Sequence, residues 1–388
     1  MQNKLLNVFY NNRKVGRIAE TQERLLAFEY DPGWLRSGFS ISPFKLPLEK
    51  RVFIAPRDPF DGNFGVFNDS LPDGWGRLLI DRLLVKKRID PSTVSTLDRL
   101  AIVGSSGMGA LEYKPEEHLV GDVKTIDLDV LAKEAEAILN EKYDDSDLAS
   151  KRCLEDLVKL GGSSGGARPK VLIKVETDEI LPDEIRADKI REDWIVKFRA
   201  SIDPKNIGKL EYDYMTAAKA AGIIVPQIKL FEGKYFGAKR FDRKPDGSKV
   251  FMISASGLLD TSHRFPTLDY NSLMTLTLEL TRDFREAEKM FRLMCFNVFS
   301  HNRDDHSKNF SFLYDDNKWQ VSPAYDLVYS GGMNGEHATS IDGEGRNPTE
   351  EHCMAVAVKA GLEKRRAEKI LNEVKIAVLD AGVKIRTQ

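Results

Sequence analysis

Asp304 and Asn309 stand five residues apart in the run His301 to Ser330, HNRDDHSKNFSFLYDDNKWQVSPAYDLVYS, and Asp326 follows near its end. An Asp that accepts a hydroxyl proton, an Asn five positions on, and a second Asp beyond a hairpin are the groups used in phosphoryl transfer. Carboxylates and an amide carbonyl are hard oxygen donors suited to Mg²⁺. Asp304 is therefore the candidate base, and Asn309 and Asp326 are candidate metal ligands. Lys308, inside the loop, offers positive charge against a transferring phosphoryl group. Asp305 competes with Asp304 for the role of base, and only the spacing to Asn309 separates them. Two other readings stay open: a polar surface loop, since Asp and Asn favour turns anyway, and a metal hydrolase built on His301 and His306 with the acids. No third His or Cys lies near that pair, and its spacing fits no zinc motif.

The flanking segments have to present these side chains. Arg285 to Ser300 carries Met290, Phe291, Leu293, Met294, Val298 and Phe299 at helical spacing, and the polar cluster HNRDDH breaks it. The loop thus leaves a buried helix. Phe310 to Tyr314, a polar Asp315 to Lys318, and Trp319 to Val321 read as a β-hairpin, whose arms return Asp326 to the end where the loop begins.

A second stretch, Gly161-Gly162-Ser163-Ser164-Gly165-Gly166-Ala167-Arg168-Pro169-Lys170, precedes a strand from Val171 to Val175. Its four glycines let backbone N–H groups point into one concavity able to hold phosphate, and Lys170 adds charge. It is no Walker loop, since a strand follows and Gly-Lys-Ser/Thr is missing; a flexible linker is the plain alternative. Its place in the order favours phosphate. A glycine loop, a strand, a Lys strand (Asp193 to Phe198, with Lys197) and a helix (Lys209 to Ala221, with Glu211) follow the sequence of a kinase nucleotide lobe. Lys174 rivals Lys197, and Glu211 would pair with the strand Lys. Strands over Ile228–Phe231 and Tyr235–Phe241 place the backbone of Lys239, Arg240 and Phe241 where an adenine edge would lie. Helices over Leu268–Thr281 and Phe284–Ser300 make a helical lobe. The glycine-rich run from Ser330 to Gly345 reads as a mobile, activation-like segment, and helices over Thr349–Ala360 and Leu362–Ala381 close the chain.

The first part is β-rich, with a strand–turn–strand over Leu5–Ala19 around Asn11-Asn12 and a strand over Arg24–Tyr30. Gly76 to Lys87 reads as an amphipathic core helix whose basic residues form a solvated face, and GSSGMGALEY, Gly104 to Tyr113, reads as a turn leading into a strand. An acidic break, Asp144 to Asp147, separates two helices ahead of the glycine loop. At 388 residues the chain can hold two or three domains, and 41% hydrophobic with 30% charged residues describe a globular protein. A net charge of -2 gives no whole-chain attraction to nucleic acid or anionic membrane. No signal peptide or apolar membrane span is seen, so a cytoplasmic protein is expected. Cys153, Cys295 and Cys353, an odd and scattered set, read as buried thiols.

The run DDHSKNFS followed by SPAYD, the glycine loop, FDR at Phe241–Arg243 and the segment FNDSLPDGWGRLLIDR at Phe67–Arg82 together resemble the HipA family, Ser/Thr protein kinase toxins of bacterial toxin–antitoxin pairs. The resemblance spans nearly the whole chain. It implies an α+β, protein-kinase-like two-lobed fold: a β-rich subdomain over 1–117, a nucleotide-binding lobe over 118–245 and a helical lobe over 246–388. It implies Asp304 as base, Asn309 and Asp326 on Mg²⁺, and an ATP-binding set of Ser164, Gly165, Gly166, Ala167, Lys170, Lys197, Lys239, Arg240, Phe241, His306, Lys308 and Tyr325, with Glu211 as the structural ion pair. In such kinases a glycine-loop serine is autophosphorylated, which shuts the enzyme off; Ser163 matches it and Ser164 is the neighbouring alternative. A phosphate of about -1.5 to -2 charges there would repel those of ATP. The resemblance further implies a small DNA-binding, HipB-like antitoxin, operator DNA reached only through it, and a protein substrate of the aminoacyl-tRNA synthetase class. A small-molecule kinase and a catalytically silent ATP-binding module are the rival readings.

Overall fold

The computed structural model describes residues 4–121, 127–140, 148–177, 190–265 and 267–383. It falls into two compact units, one of Met1–Ile41, Leu46–Gly208 and Ile228–Phe251, the other of Ser42–Lys45, Lys209–Gln227 and Met252–Gln388. Apart from residues 42–45 and 209–227, the segments 1–117 and 118–245 lie together in the first unit. The acidic stretch Asp144 to Asp147 lies outside the described residues.

The first unit opens with β1 (Leu5–Tyr10), β2 (Arg13–Glu20), β3 (Leu26–Tyr30) and β4 (Val52–Ile54), which with β5 (Leu111–Lys114) form a sheet in the order β4-β3-β2-β1-β5. Asn11 and Asn12 take φ of 45° and 63°, the left-handed conformation that a two-residue hairpin turn requires and Asn tolerates. Helices α1 (Pro32–Ser37), α2 (Gly65–Asn68), α3 (Gly74–Lys86) and α4 (Thr96–Val103) intervene before β5. Then come α5 (Leu128–Leu139), α6 (Leu148–Gly161), β6 (Lys170–Thr177) and β7 (Ile190–Lys197), with β8 (Ile228–Phe231) and β9 (Tyr235–Lys239) completing a second sheet in the order β6-β7-β9-β8.

Strand alternation sorts that second sheet into two faces. Val171 and Ile173 of β6, with Trp194 and Val196 of β7, turn inward onto Leu131 and Ile138 of α5, Leu154 and Leu157 of α6, and Trp75, Leu79 and Leu83 of α3. The amphipathic α3 thus contributes its apolar face to this core. On its basic face Arg82 donates to the Ile138 carbonyl at 3.0 Å and Lys86 pairs with Glu155 at 3.3 Å. Truncating the buried Trp75 to Ala would remove about 3–5 kcal/mol.

In the second unit lie most of α7 (Ile207–Ala220), then β10 (Phe251–Ser254) at the boundary, α8 (Ala255–Leu259), β11 (Leu268–Asp269), α9 (Tyr270–Thr281), α10 (Phe284–Ser300), β12 (Ser311–Asp315), β13 (Lys318–Val321), β14 (Thr339–Ser340), α11 (Glu350–Lys359) and α12 (Lys364–Asp380). The α+β architecture expected from the sequence is the one found. β12 and β13 form the expected antiparallel hairpin, turning at Asp316 and Asn317 with φ of 49° and 59°. α10 buries Met290, Phe291, Leu293, Met294 and Phe296 and packs against α9 and α12. Cys153, Cys295 and Cys353 are free, buried thiols. Among the described residues no helix is long and apolar enough to cross a membrane.

Candidate active site

The loop after α10 is set by how that helix ends. His301 caps it at φ 54°, left-handed, and the Asn302 N–H returns to the Asn297 carbonyl at 3.0 Å, a tight exit that commits the next residues to one direction. Asp304 is exposed there. The Asn309 side-chain N–H donates to the Asp304 carbonyl at 2.7 Å, which closes the D-x-x-x-x-N loop and leaves the Asn309 carbonyl oxygen as a separate acceptor. The hairpin returns as expected. Tyr325 donates its hydroxyl to the Lys308 carbonyl at 2.7 Å and meets the Ser311 hydroxyl at 2.6 Å, so the residue before Asp326 is stapled to the loop. Asp326 itself sits at φ 57°, a strained backbone for a residue with a side chain, of a kind that collects at functional sites.

Asp305 is placed very differently from Asp304. Its side chain is wholly buried, accepting the Tyr270 hydroxyl at 3.0 Å and the Ala338 N–H at 2.9 Å, and it faces His337 Nδ1 at 2.9 Å. Such a carboxylate has no path to a substrate hydroxyl. Burial and the neighbouring Asp305 push the Tyr270 hydroxyl well above its usual range, so it stays a donor. Burial, then Arg303 and His337, lower His301, which favours its neutral form. His306 Nδ1 and Ser307 Oγ are buried with no hydrogen-bond partner among the described residues, orphaned polar atoms of the sort a bound ligand satisfies.

The run from Ser330 to Gly345, expected to be mobile, is instead tied down. Ser330 N–H bonds the His301 carbonyl at 3.0 Å, Arg303 reaches the Gly335 and Arg346 carbonyls at 2.7 and 3.0 Å, and β14 pairs in parallel with β11. Its glycines serve tight turns: a Cβ on Gly332, at φ 68°, would meet the Glu336 carbonyl oxygen at 2.0 Å. Among the described residues no group of three or more His, Cys, Asp or Glu is gathered that could hold a metal ion.

The glycine loop belongs to the first unit, and it is docked. Gly166 N–H bonds the Asp73 carboxylate, and the Gly166 carbonyl accepts the Trp75 N–H at 2.9 Å. Trp75 Nε1 donates to the Lys170 carbonyl at 3.1 Å. Gly76 approaches so closely that a Cβ there would sit 2.3 Å from the Ser164 carbonyl oxygen. Ser164 Oγ donates to the Gly161 carbonyl at 2.6 Å, and Ser163 Oγ donates to the Ser106 carbonyl at 2.8 Å. No local pattern marks Asp73 and Ser106 as the residues that hold this loop; the DGWG run at residues 73–76, with two glycines at a helix start, is the one hint.

Lys170 and Lys197 are directly opposed in the β6–β7 ladder, so their side chains share the face away from the core. Lys170 Nζ bonds the Gly165 carbonyl at 2.7 Å. Lys174, the rival, is exposed and stands opposite Asp193 farther along the ladder. Lys239 is bound to Glu192 at 2.5 Å. The Arg240 guanidinium is spent on Asp242, at 3.0 and 2.8 Å, while its backbone N–H bonds the Asp193 carbonyl at 2.8 Å; Phe241 follows, half-buried. Arg243 also reaches Asp242 at 2.8 Å and the Gly107 and Gly109 carbonyls at 3.1 and 3.0 Å. Burial lowers Arg243 to about 10. Burial alone would raise Asp242, but the two guanidiniums outweigh it and hold the carboxyl below its usual range. Ala167 lies with Ser164, Gly165 and Gly166 in the docked loop. Glu211 is buried on α7, in the second unit with Asp304, His306, Lys308, Asn309, Tyr325 and Asp326.

Family models match two parts of the chain: the HipA N-terminal domain over residues 6–114 and the HipA-like C-terminal domain over residues 162–381. The chain is 27% identical over 347 residues to a Sinorhizobium fredii protein named "Putative kinase Y4mE", covering 84% of this chain and 77% of that one. A second S. fredii protein, "Putative kinase Y4dM", is 27% identical over 152 residues, covering 35% of this chain and 37% of that one. Among solved structures, a chain of the Shewanella oneidensis MR-1 toxin–antitoxin complex of HipA, HipB and operator DNA superposes with a TM-score of 0.67 at 19% identity, covering 97% of this chain and 89% of that one. That superposition shows a shared fold, and the C-terminal match alone takes in more than half of the sequence: the chain belongs to the HipA family.

Proposed function

We propose that this protein is an ATP- and Mg²⁺-dependent Ser/Thr protein kinase. The observation that carries the reading is the division of labour between adjacent acids: Asp304 is exposed on a loop closed by Asn309, while Asp305 is buried and fully engaged. Asp304 accepts the proton of a substrate hydroxyl as its oxygen bonds to the terminal phosphorus of ATP, while the bond from that phosphorus to the bridging oxygen breaks and ADP leaves. Asn309 and Asp326 would hold Mg²⁺, which uses one or two carboxylates together with substrate phosphates; that fits a donor set of one carboxylate and one amide oxygen better than an all-protein cage would. Bound Mg²⁺ supplies charge neutralisation between the phosphates.

The other candidate residues bind and orient the nucleotide. Lys170 and Lys197 neutralise its phosphates, and Ser164, Gly165, Gly166 and Ala167 form the phosphate loop, whose shape is held by the Ser164 N–H on the Gly161 carbonyl and the Gly166 N–H on Asp73. Glu211, buried on α7, is the structural ion-pair residue, and the backbone of Lys239, Arg240 and Phe241 meets the adenine. His306, Lys308 and Tyr325 complete the nucleotide-binding set, and the unpartnered His306 Nδ1 supports that role. Residues 1–117, 118–245 and 246–388 serve as β-rich N-terminal subdomain, nucleotide-binding lobe and helical lobe.

The enzyme autophosphorylates Ser163, with Ser164 the alternative, and phosphorylates a translation component of the aminoacyl-tRNA synthetase class in the cytoplasm. A small HipB-like antitoxin holds it and connects it to operator DNA, as the composition of the Shewanella complex supports.

Transfer of label from γ-labelled ATP to the protein, mapped by mass spectrometry, is the test. Label on Ser163 or Ser164 that vanishes in Asp304→Asn and Asp326→Asn supports the assignment. Label confined to a metabolite points to a small-molecule kinase, and turnover unchanged in both variants refutes the roles of Asp304 and Asp326.

A further inference from the structure

We propose that Asp305 is the positioning residue of the catalytic loop, and that it acts by tying the loop to residues 336–340 of the same unit through His337, Ala338 and Thr339. This deepens the kinase reading and rests on Asp304 being the base.

The contacts form a closed ring. Asp305 Oδ1 accepts the N–H groups of Ala338 at 2.9 Å and Thr339 at 3.3 Å, while Oδ2 takes the Tyr270 hydroxyl at 3.0 Å and lies 2.9 Å from His337 Nδ1. The Asp305 carbonyl accepts the Thr339 hydroxyl at 2.5 Å. Tyr270 OH in turn accepts from Asn297 Nδ2 at 3.0 Å, and Asn297 Oδ1 accepts from Asn302 Nδ2 at 2.9 Å. The path therefore runs from α10 through Asn302 along the loop to Asp305, across to Tyr270 at the start of α9, and back to Asn297 of α10. Asp305 and His337 side chains are 0% and 1% exposed, so water cannot substitute for any of these bonds.

Stability alone is a poor reason for this arrangement. A buried carboxylate carries a large desolvation penalty, and well-packed apolar groups often serve as well or better. What a closed ring of buried hydrogen bonds around a fully engaged Asp305 carboxylate supplies is one unique geometry. Asp304 is bonded directly to Asp305 in the chain, so a fixed Asp305 backbone fixes the origin of the Asp304 side chain, and small misplacements of a reacting group are expensive in rate.

The test uses the full chain, with Asp305→Asn and Tyr270→Phe measured beside Asp304→Asn. Asp305→Asn keeps the shape but cannot accept the Tyr270 hydroxyl on its new amide; Tyr270→Phe removes one hydroxyl and keeps the aromatic ring, and it serves if the first variant fails to fold. The expected result is a fall in kcat of at least about tenfold for Asp305→Asn and a smaller fall for Tyr270→Phe, with KM for ATP within about twofold of wild type. Added to Asp304→Asn, the Asp305→Asn change should lower the residual rate by less than about twofold, since its target is already gone. Folded variants that turn over like wild type, or in which kcat and KM worsen together, overturn the inference. Wild-type protein that transfers no phosphoryl group from ATP refutes the kinase reading itself, a distinguishable outcome.

Discussion

The Ser163 hydroxyl donates to the Ser106 carbonyl at 2.8 Å, so the glycine loop is moored to a turn 57 residues earlier in the chain. A phosphate on Ser163 would lose that donor and set negative charge against a carbonyl oxygen. Ser163→Asp should imitate this and raise the Kd for ATP by at least about tenfold, equivalent to ~1.4 kcal/mol. Ser163→Ala forfeits one neutral hydrogen bond, about 1 kcal/mol of loop docking, and should weaken ATP binding less. Titration with a fluorescent nucleotide analogue checks both, and equal affinities in all three proteins would rule out the mooring.

The other side of the loop depends on the start of α3. Gly76→Ala places a Cβ 2.3 Å from the Ser164 carbonyl oxygen, which is backbone and cannot swing aside. The loop must shift, and KM for ATP should rise at least about threefold. Asp73→Ala removes the acceptor of the Gly166 N–H, a charge-assisted bond of about 1.5–3 kcal/mol, and should act in the same direction. Gly109→Ala is the control, with nothing within 4 Å of the added Cβ. Steady-state kinetics against ATP distinguish these outcomes.

Arg243 is a structural tie. Its guanidinium serves Asp242 and two carbonyls of the turn at residues 107–109, a forked geometry that a lysine ammonium cannot reproduce. Arg243→Lys should destabilise the first unit by about 3 kcal/mol, the range for damaging a buried pair, with a lowered Tm in calorimetry. A Tm indistinguishable from that of wild type would contradict this.

Asp283 caps α10 through the Arg285 N–H at 2.9 Å, and the Arg285 side chain, then that backbone bond, hold its carboxyl down at about 2. The folded pKa lies below the unfolded value of about 3.9. The ionised form therefore stabilises the fold above pH ~4, and the contribution is lost as pH falls through about 2. Asp283→Asn retains a capping oxygen but no charge. Its stability deficit relative to wild type should be full at neutral pH and shrink below about pH 4, which paired denaturation curves at about pH 7 and pH 3 would show. A deficit unchanged between the two would be inconsistent with the shift.

Much of the protein is local and legible in the residues. α10 and the β12–β13 hairpin follow from hydrophobic spacing and from Asp316-Asn317, because helix and turn preferences act over a few residues. Spacing likewise singles out Asp304, Asn309 and Asp326. Three matters are settled only by tertiary structure. Asp304 and Asp305 are adjacent carboxylates, and only packing makes one exposed and the other a buried anchor. Glycines after Ser330 read as mobility, yet they permit turns that close on the loop after α10. A polar turn at Ser106 and a helix start at Asp73 become the moorings of the glycine loop. Each of these outcomes pairs groups distant in sequence, and which donor meets which acceptor is decided by how the core brings the backbones together, a quantity that no local pattern encodes.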